Sequence, residues 1–211
     1  ATVMGPGVIG QTSALALDSA LDSLETLRVL HPEQWKAEAF AEEMADDIDA
    51  AIEPMSQARA AVTGADVTVV AATGSPPPKI EGSWLKDDCL VIPLGDLRAD
   101  LSAFDADLIF CDVRRNTLEF AAHMDWQIMN ALGAAVDYNI GLELAESDLR
   151  ALHEVVGGED TASTEGRSVL YSPGLPMEDV AWASRVYETA AERDLGRTLT
   201  MFEEPYFSKP Y

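Results

Sequence analysis

The chain has 211 residues, 47% of them hydrophobic, with 37 acidic side chains against 14 basic ones and a formal net charge of −23. That apolar fraction excludes a disordered chain, and the length suits one medium-sized domain, or one plus an appendage, with a sizeable core. The charge excludes nucleic acid and anionic membranes as expected partners, because there is no basic surface to release counterions. The acids are dispersed, as at Asp18, Asp22, Glu42, Glu43, Asp46 and Asp47, and lysines number only four. Such a shell suggests a halophilic protein, since concentrated salt screens its self-repulsion, with ordinary acidic solubility as the alternative. Cys89 and Cys111 lie in apolar runs without CxxC spacing, which predicts buried reduced thiols and a cytoplasmic protein. The apolar stretches are of strand length, too short to span a membrane.

The first predicted element is the strand stub Thr2-Val3-Met4, followed by Gly5-Pro6-Gly7-Val8-Ile9-Gly10 and an amphipathic helix from about residue 8 to 22. Strand, glycine turn and helix in this order make the opening of a dinucleotide-binding βαβ unit. Gly5 permits the tight turn, Gly7 lets the backbone approach a pyrophosphate, and Gly10 lets helix and strand pack closely. Val8, Ile9 and Gly10 open the helix, whose N–H groups and dipole favour phosphate. The strand before Gly5 is so short that the chain is expected to begin inside a domain. A second strand, residues 26–30, ends about twenty residues beyond Gly10, where the fingerprint puts an acid that holds the adenosine ribose. His31-Pro32-Glu33 stands there instead. Pro32 keeps His31 out of the helical conformation, no arginine follows to favour a 2′-phosphate, and Lys36 is a distant candidate. The motif predicts NAD or NADP without deciding between them.

Helix is then predicted over about 34–46, a short strand at 51–53, and a small helix over 56–63. Val67-Thr68-Val69-Val70-Ala71, Leu90-Val91-Ile92-Pro93-Leu94 and Leu108-Ile109-Phe110-Cys111-Asp112 are continuous apolar strands of the kind buried on both faces. Thr73-Gly74-Ser75 follows the first of them, at the carboxyl end where an open sheet binds its ligand, and reads as cofactor contact or as a plain turn into Pro76-Pro77-Pro78. The chain is thus predicted to be α/β: a Rossmann-type, doubly wound parallel sheet over residues 1–115. Residues 116–211 read as a mainly helical C-terminal extension, with helices at about 117–130, 146–155 and 177–194. Phe120, Met124, Ile128 and Leu132 give the first of these an apolar face larger than a small sheet needs. A polar loop spans residues 157–166, and the aromatic, proline-containing end, residues 202–211, reads as a docked tail or a frayed terminus. His31, His123 and His153 fit no metal or triad spacing, and no metal site is expected.

Four segments together resemble the ornithine cyclodeaminase/μ-crystallin family. They are the glycine turn from Val3 to Gln11, the run from Ala65 to Ser75, the turn from Ile80 to Asp88, and the helix opening from Ser172 to Ala181. The resemblance implies a Rossmann-type domain joined to a second domain for substrate binding and dimerisation, drawn mostly from sequence upstream of the glycine turn. That part is absent here, so association with an upstream segment, a partner chain or a second copy is expected. It further implies an NAD(P)-dependent oxidoreductase of amino acids or cyclic imines. The alternatives are a cyclodeaminase that releases ammonia using bound NAD, and a non-catalytic dinucleotide-binding protein. In the loop Leu94-Gly95-Asp96-Leu97-Arg98, the family's catalytic aspartate aligns with Leu97, one residue after Asp96. Gly95, Arg98, Asp100 and Asp105 fit the ketimine-reductase form of the loop better. Asp96 is the candidate acid/base or a loop-bonding aspartate, and Arg98 is the candidate clamp for a substrate carboxylate or a surface ion pair. Gly174, before a helix that opens with Glu178 and Asp179, either admits the nicotinamide or simply makes a turn.

Overall fold

Thr2, Val3 and Met4 are all buried, and from this short strand, β1 (Thr2–Met4), a parallel sheet grows in both directions. The computed structural model describes residues 1–74, 76–99, 106–123, 146–161, 165–172 and 174–200. β1 lies between β2 (Thr26–Leu30) and β4 (Val67–Val70), with Met4 opposite Leu30 on one side and Val70 on the other. Beyond β2 lies β3 (Ala51–Met55). Beyond β4 come β6 (Cys89–Pro93), β10 (Arg167–Tyr171), β8 (Leu108–Cys111) and β9 (Leu149–Ala151). The order is β3-β2-β1-β4-β6-β10-β8-β9, and every described pairing is parallel. The Rossmann-type α/β sheet expected from the sequence is therefore present. Its chain reverses direction between β1 and β4, which opens a crevice beyond their carboxyl ends.

Alternation along the strands divides the core into two layers. Val3, Leu27, Val29 and Val69 share one layer with Ala14 of α1 (Val8–Ala20) and with Ala37, Phe40 and Met44 of α2 (Gln34–Met44). Met4, Leu30, Val70, Val91, Ile109 and Val169 share the other with Ala61 and Val62 of α3 (Ala58–Val62). Each of the buried Val, Leu and Ile side chains contributes about 1.5–3 kcal/mol. Pro54 is accommodated because β3 is an edge strand of the described sheet. Ala51 donates inward to Glu25, so by alternation the position of Pro54 faces away from β2, where no N–H is needed.

Several sequence expectations need correction. The strand at 51–53 runs on to Met55, and the helix expected at 56–63 is shorter. A two-stranded ribbon, β5 (Lys79–Ile80) with β7 (Arg98–Ala99), was not anticipated. Among the described residues past 115 helix outweighs strand, but two strands not anticipated there, β9 and β10, join the main sheet. In place of a helix at 146–155 come a 3₁₀ turn at Glu146–Asp148, β9, and the short α5 (Leu152–Val156), preceded in the chain by α4 (Arg114–His123). The physical reason is a period of two: Leu149 and Ala151 are fully buried while Arg150 between them turns out to pair with Asp160 and cover the Phe110 ring. Arg114 grips Glu154 with two hydrogen bonds of 2.6 and 2.5 Å, tying α4 to α5.

The chain divides into two compact units, Ala1–Pro173 and Gly174–Tyr211. The second contains α6 (Pro176–Glu192), near the helix expected at 177–194. The expected apolar face at Met124, Ile128 and Leu132, Asp100 and Asp105 of the loop, and the aromatic tail all lie outside the described residues. Among the described residues no helix is long and apolar enough to cross a membrane, and no cluster of three or more His, Cys, Asp or Glu could hold a metal.

Candidate dinucleotide cleft

The glycine turn sits where the sheet opens. Gly5 adopts φ +111°, and a Cβ there would come within 2.9 Å of the Ala72 backbone, so the turn requires glycine twice over. Its N–H donates to the Leu30 carbonyl at 3.0 Å, which fixes the turn between the ends of β2 and β4. A Cβ at Gly10 would stand 1.9 Å from the Gly5 carbonyl oxygen; this glycine lets α1 press against the turn. Gly7 differs from both. A Cβ there would meet nothing within 4 Å. It is the N-cap of α1, no side chain caps that helix, and its first turn carries no acid. The N–H groups of Val8, Ile9 and Gly10 precede the first intrahelical bond, from Gln11 to Gly7, so this end of α1 retains donors for an anion.

A cleft of about 930 Å³ extends from this turn. It brings together Gly5, Gly7, His31, Thr73, Gly74 and Arg98 from the predicted set. Volume and mixed lining suit a dinucleotide. His31 follows the end of β2, and its Nδ1 accepts the Glu33 N–H at 3.0 Å, leaving the ring proton on Nε2. Thr73 and Gly74 form an exposed rim beyond β4. Arg98 is anchored to the proline segment: its N–H donates to Pro78 and its Nε to Pro77, at 2.9 and 2.8 Å. With Nε engaged, a carboxylate meets the terminal NH₂ pair end-on.

Other predicted residues lie apart from the cleft lining. Gly95 is buried, and a Cβ there would be 2.8 Å from the Ala72 carbonyl, so it serves the close approach of two strand ends. Asp96 accepts the Leu97 N–H at 2.8 Å on Oδ1 and is not among the lining residues. Val8 and Ile9 contribute backbone at the head of α1, with exposed side chains. Ser75 lies outside the described residues, and Gly174, at φ +88°, belongs to the second unit. The sequence did not single out Trp35, Trp84 or Pro76 to Pro78 as lining, and it placed Lys36 at a distance; all of them border the cleft.

Residues 1–194 match the profile of the ornithine cyclodeaminase/mu-crystallin family. The chain belongs to that family. Among curated relatives, the mouse (Mus musculus) ketimine reductase mu-crystallin is 28% identical over 168 residues, covering 79% of this chain and 48% of that protein. An uncharacterized cyclodeaminase of Sinorhizobium fredii is 26% identical over 204 residues, covering 93% of this chain and 58% of the relative. The chain therefore spans about half the length of these relatives. Among solved structures, Thermococcus litoralis Δ1-pyrroline-2-carboxylate reductase, in complex with NADH and L-proline, superposes with a TM-score of 0.77 at 21% identity. That match covers 94% of this chain and 60% of the other. Leu97, which the resemblance of the Gly95 loop sets opposite the cyclodeaminase aspartate, is a core residue, 2% exposed and packed in the layer that holds Met4 and Leu30.

Proposed function

We propose that this chain forms the dinucleotide-binding part of an NAD(P)-dependent oxidoreductase acting on an amino acid or its cyclic imine. The open face of Gly7, at an uncapped helix end inside a cleft of dinucleotide size, carries the reading. Gly5 makes the turn, Gly7 lets the backbone approach the pyrophosphate, the first turn of α1 supplies N–H groups, and Thr73 and Gly74 border the nicotinamide side. When bound, the cofactor supplies the hydride for the C=N carbon. Arg98 orients the substrate carboxylate end-on, held in place by Pro77 and Pro78. Asp96, which accepts from Leu97 and lies apart from the cleft lining, takes no part in this step, and the imine nitrogen draws its proton from solvent. The substrate half of such a site draws on parts of the relatives that these 211 residues do not span. Association with such a segment, or with a second copy, completes it.

Leu97 favours reduction over the cyclodeaminase reading, since a core leucine has no carboxylate to assist ammonia release. Titrating the chain with NADH and NADPH by nicotinamide fluorescence tests the first half; absence of binding by both removes the reading. Adding a cyclic imine carboxylate tests the second. Net cofactor oxidation supports reduction, ammonia release without it returns the cyclodeaminase, and binding without turnover leaves a dinucleotide-binding protein.

A further inference from the structure

We infer that the ribose end of the cleft is built for a 2′-phosphate, so that the chain takes NADP(H) in preference to NAD(H). The inference rests on the dinucleotide reading above and goes further by naming which dinucleotide and which side chains select it. An NAD site places a carboxylate just beyond β2 to accept the ribose hydroxyls. Here that place presents donors. His31 lines the cleft with its Nδ1 already accepting from Glu33, so the remaining ring nitrogen, Nε2, donates.

Glu33, the carboxylate nearest in sequence, is held by two side chains that line the cleft. Its Oε1 accepts from Lys36 Nζ at 2.7 Å and its Oε2 from Trp35 Nε1 at 3.2 Å, and it is not among the lining residues. Lys36 does line the cleft, with its ammonium 5.4 Å from the centre of the Trp35 ring. An ammonium has three N–H donors, of which Glu33 occupies one. Competition from Glu33 is weak, because both partners are substantially exposed, at 37% and 54%, and water screens such a pair. Glu43 is the carboxylate among the lining residues, but it lies seven positions beyond Lys36 on α2, about 10 Å along the axis. An arriving phosphate thus meets a lysine, an imidazole N–H and the first turn of α2, which carries no acid beyond the N-cap Glu33 that the phosphate must displace from Lys36.

Fluorescence titration of the 211-residue chain with NADPH and with NADH in one buffer tests this, with thermal melts to confirm that each variant is folded. NADPH is expected to bind at least about tenfold tighter, and Lys36→Gln to bring the two within about threefold, as loss of one charge-assisted contact requires. His31→Gln, which removes the ring, is expected to narrow the gap less. NADH binding as tightly as NADPH, or more so, overturns the inference and leaves the proposed function standing. A preference that survives Lys36→Gln intact overturns it as well. Failure of both dinucleotides to bind removes the inference together with the reading beneath it.

Discussion

Gly7 and Gly10 occupy one turn of chain, yet their surroundings give them opposite roles. Gly10 has no room for even a methyl group, because a Cβ would collide with the Gly5 carbonyl. Gly10→Ala is therefore expected to destabilise the fold by about 1–3 kcal/mol or more, as overpacking does. Gly7 has open space and an ordinary φ of −78°. Gly7→Val is expected to cost about 1 kcal/mol as a poorer N-cap, and to abolish dinucleotide binding with the fold retained. Circular-dichroism melts and nicotinamide fluorescence on the two variants separate these outcomes; unchanged affinity in Gly7→Val would remove the pyrophosphate site. The thiols allow a second test at this scale. Burial raises Cys89 above its ordinary value and pushes Cys111 up to about 11. A thiol reagent is expected to label neither in the native protein near neutral pH and both after unfolding. Folding favours the protonated thiol, so the contribution of Cys111 to stability is full below the unfolded pKa, near 9.0, and declines as pH rises from there towards about 11. Urea titrations across that window check the sign.

At the scale of elements, β9 decides whether residues 146–155 are surface or core. Leu149 is fully buried there. Leu149→Ala is expected to cost about 2–5 kcal/mol in urea unfolding, the range for a core leucine. A loss under about 0.5 kcal/mol, the range for surface positions, would return the segment to a surface helix. β4, β6 and β8 could be read from the sequence because each is a continuous apolar run, which a sheet covered on both faces demands, and β1 and β2 because they flank the glycine turn at the spacing of its fingerprint. β9 could not. Its three residues are flanked by Glu146, Asp148, His153 and Glu154, and that mixture reads as one amphipathic helix until the pairing with β8 is known. β10 hides for a related reason: it begins with Arg167 and Ser168 after a polar loop, so less than a full strand looks apolar. Within the site, the glycine turn was legible because its geometry is local, set by residues in direct succession. The wall formed by Trp35, Trp84 and the proline segment was not, since it arises only where crossovers from β2 and β4 pass the same crevice. Arg98 was legible as a cation, but its Nε bond to Pro77 depends on β7 pairing with β5.

Over the whole molecule, a net charge of −23 opposes compaction through self-repulsion. Screening shortens from about 10 Å at 0.1 M salt to about 3 Å at 1 M. Exposed pairs such as Lys36–Glu33 and Arg115–Glu119 weaken over the same range, but solvent-screened pairs of this kind contribute little to begin with. Relief of repulsion therefore wins, and the melting temperature is expected to climb steadily from dilute buffer to molar KCl. A flat or falling curve in differential scanning calorimetry would return the composition to ordinary acidic solubility. The position of β10 carries a consequence for how the chain is made. Synthesis delivers β6 and then β8, yet the two are joined in the described sheet only by a strand that follows them both. Until Tyr171 has left the ribosome, the nascent protein holds two sheet fragments, each with a bare edge able to pair with the wrong neighbour. Insertion of Arg167–Tyr171 between β6 and β8 closes both edges at once, by pairings 78 and 60 residues apart in sequence. Such long-range closure is slow. A chain cut short before Arg167 would leave two unsealed fragments and no smaller working domain.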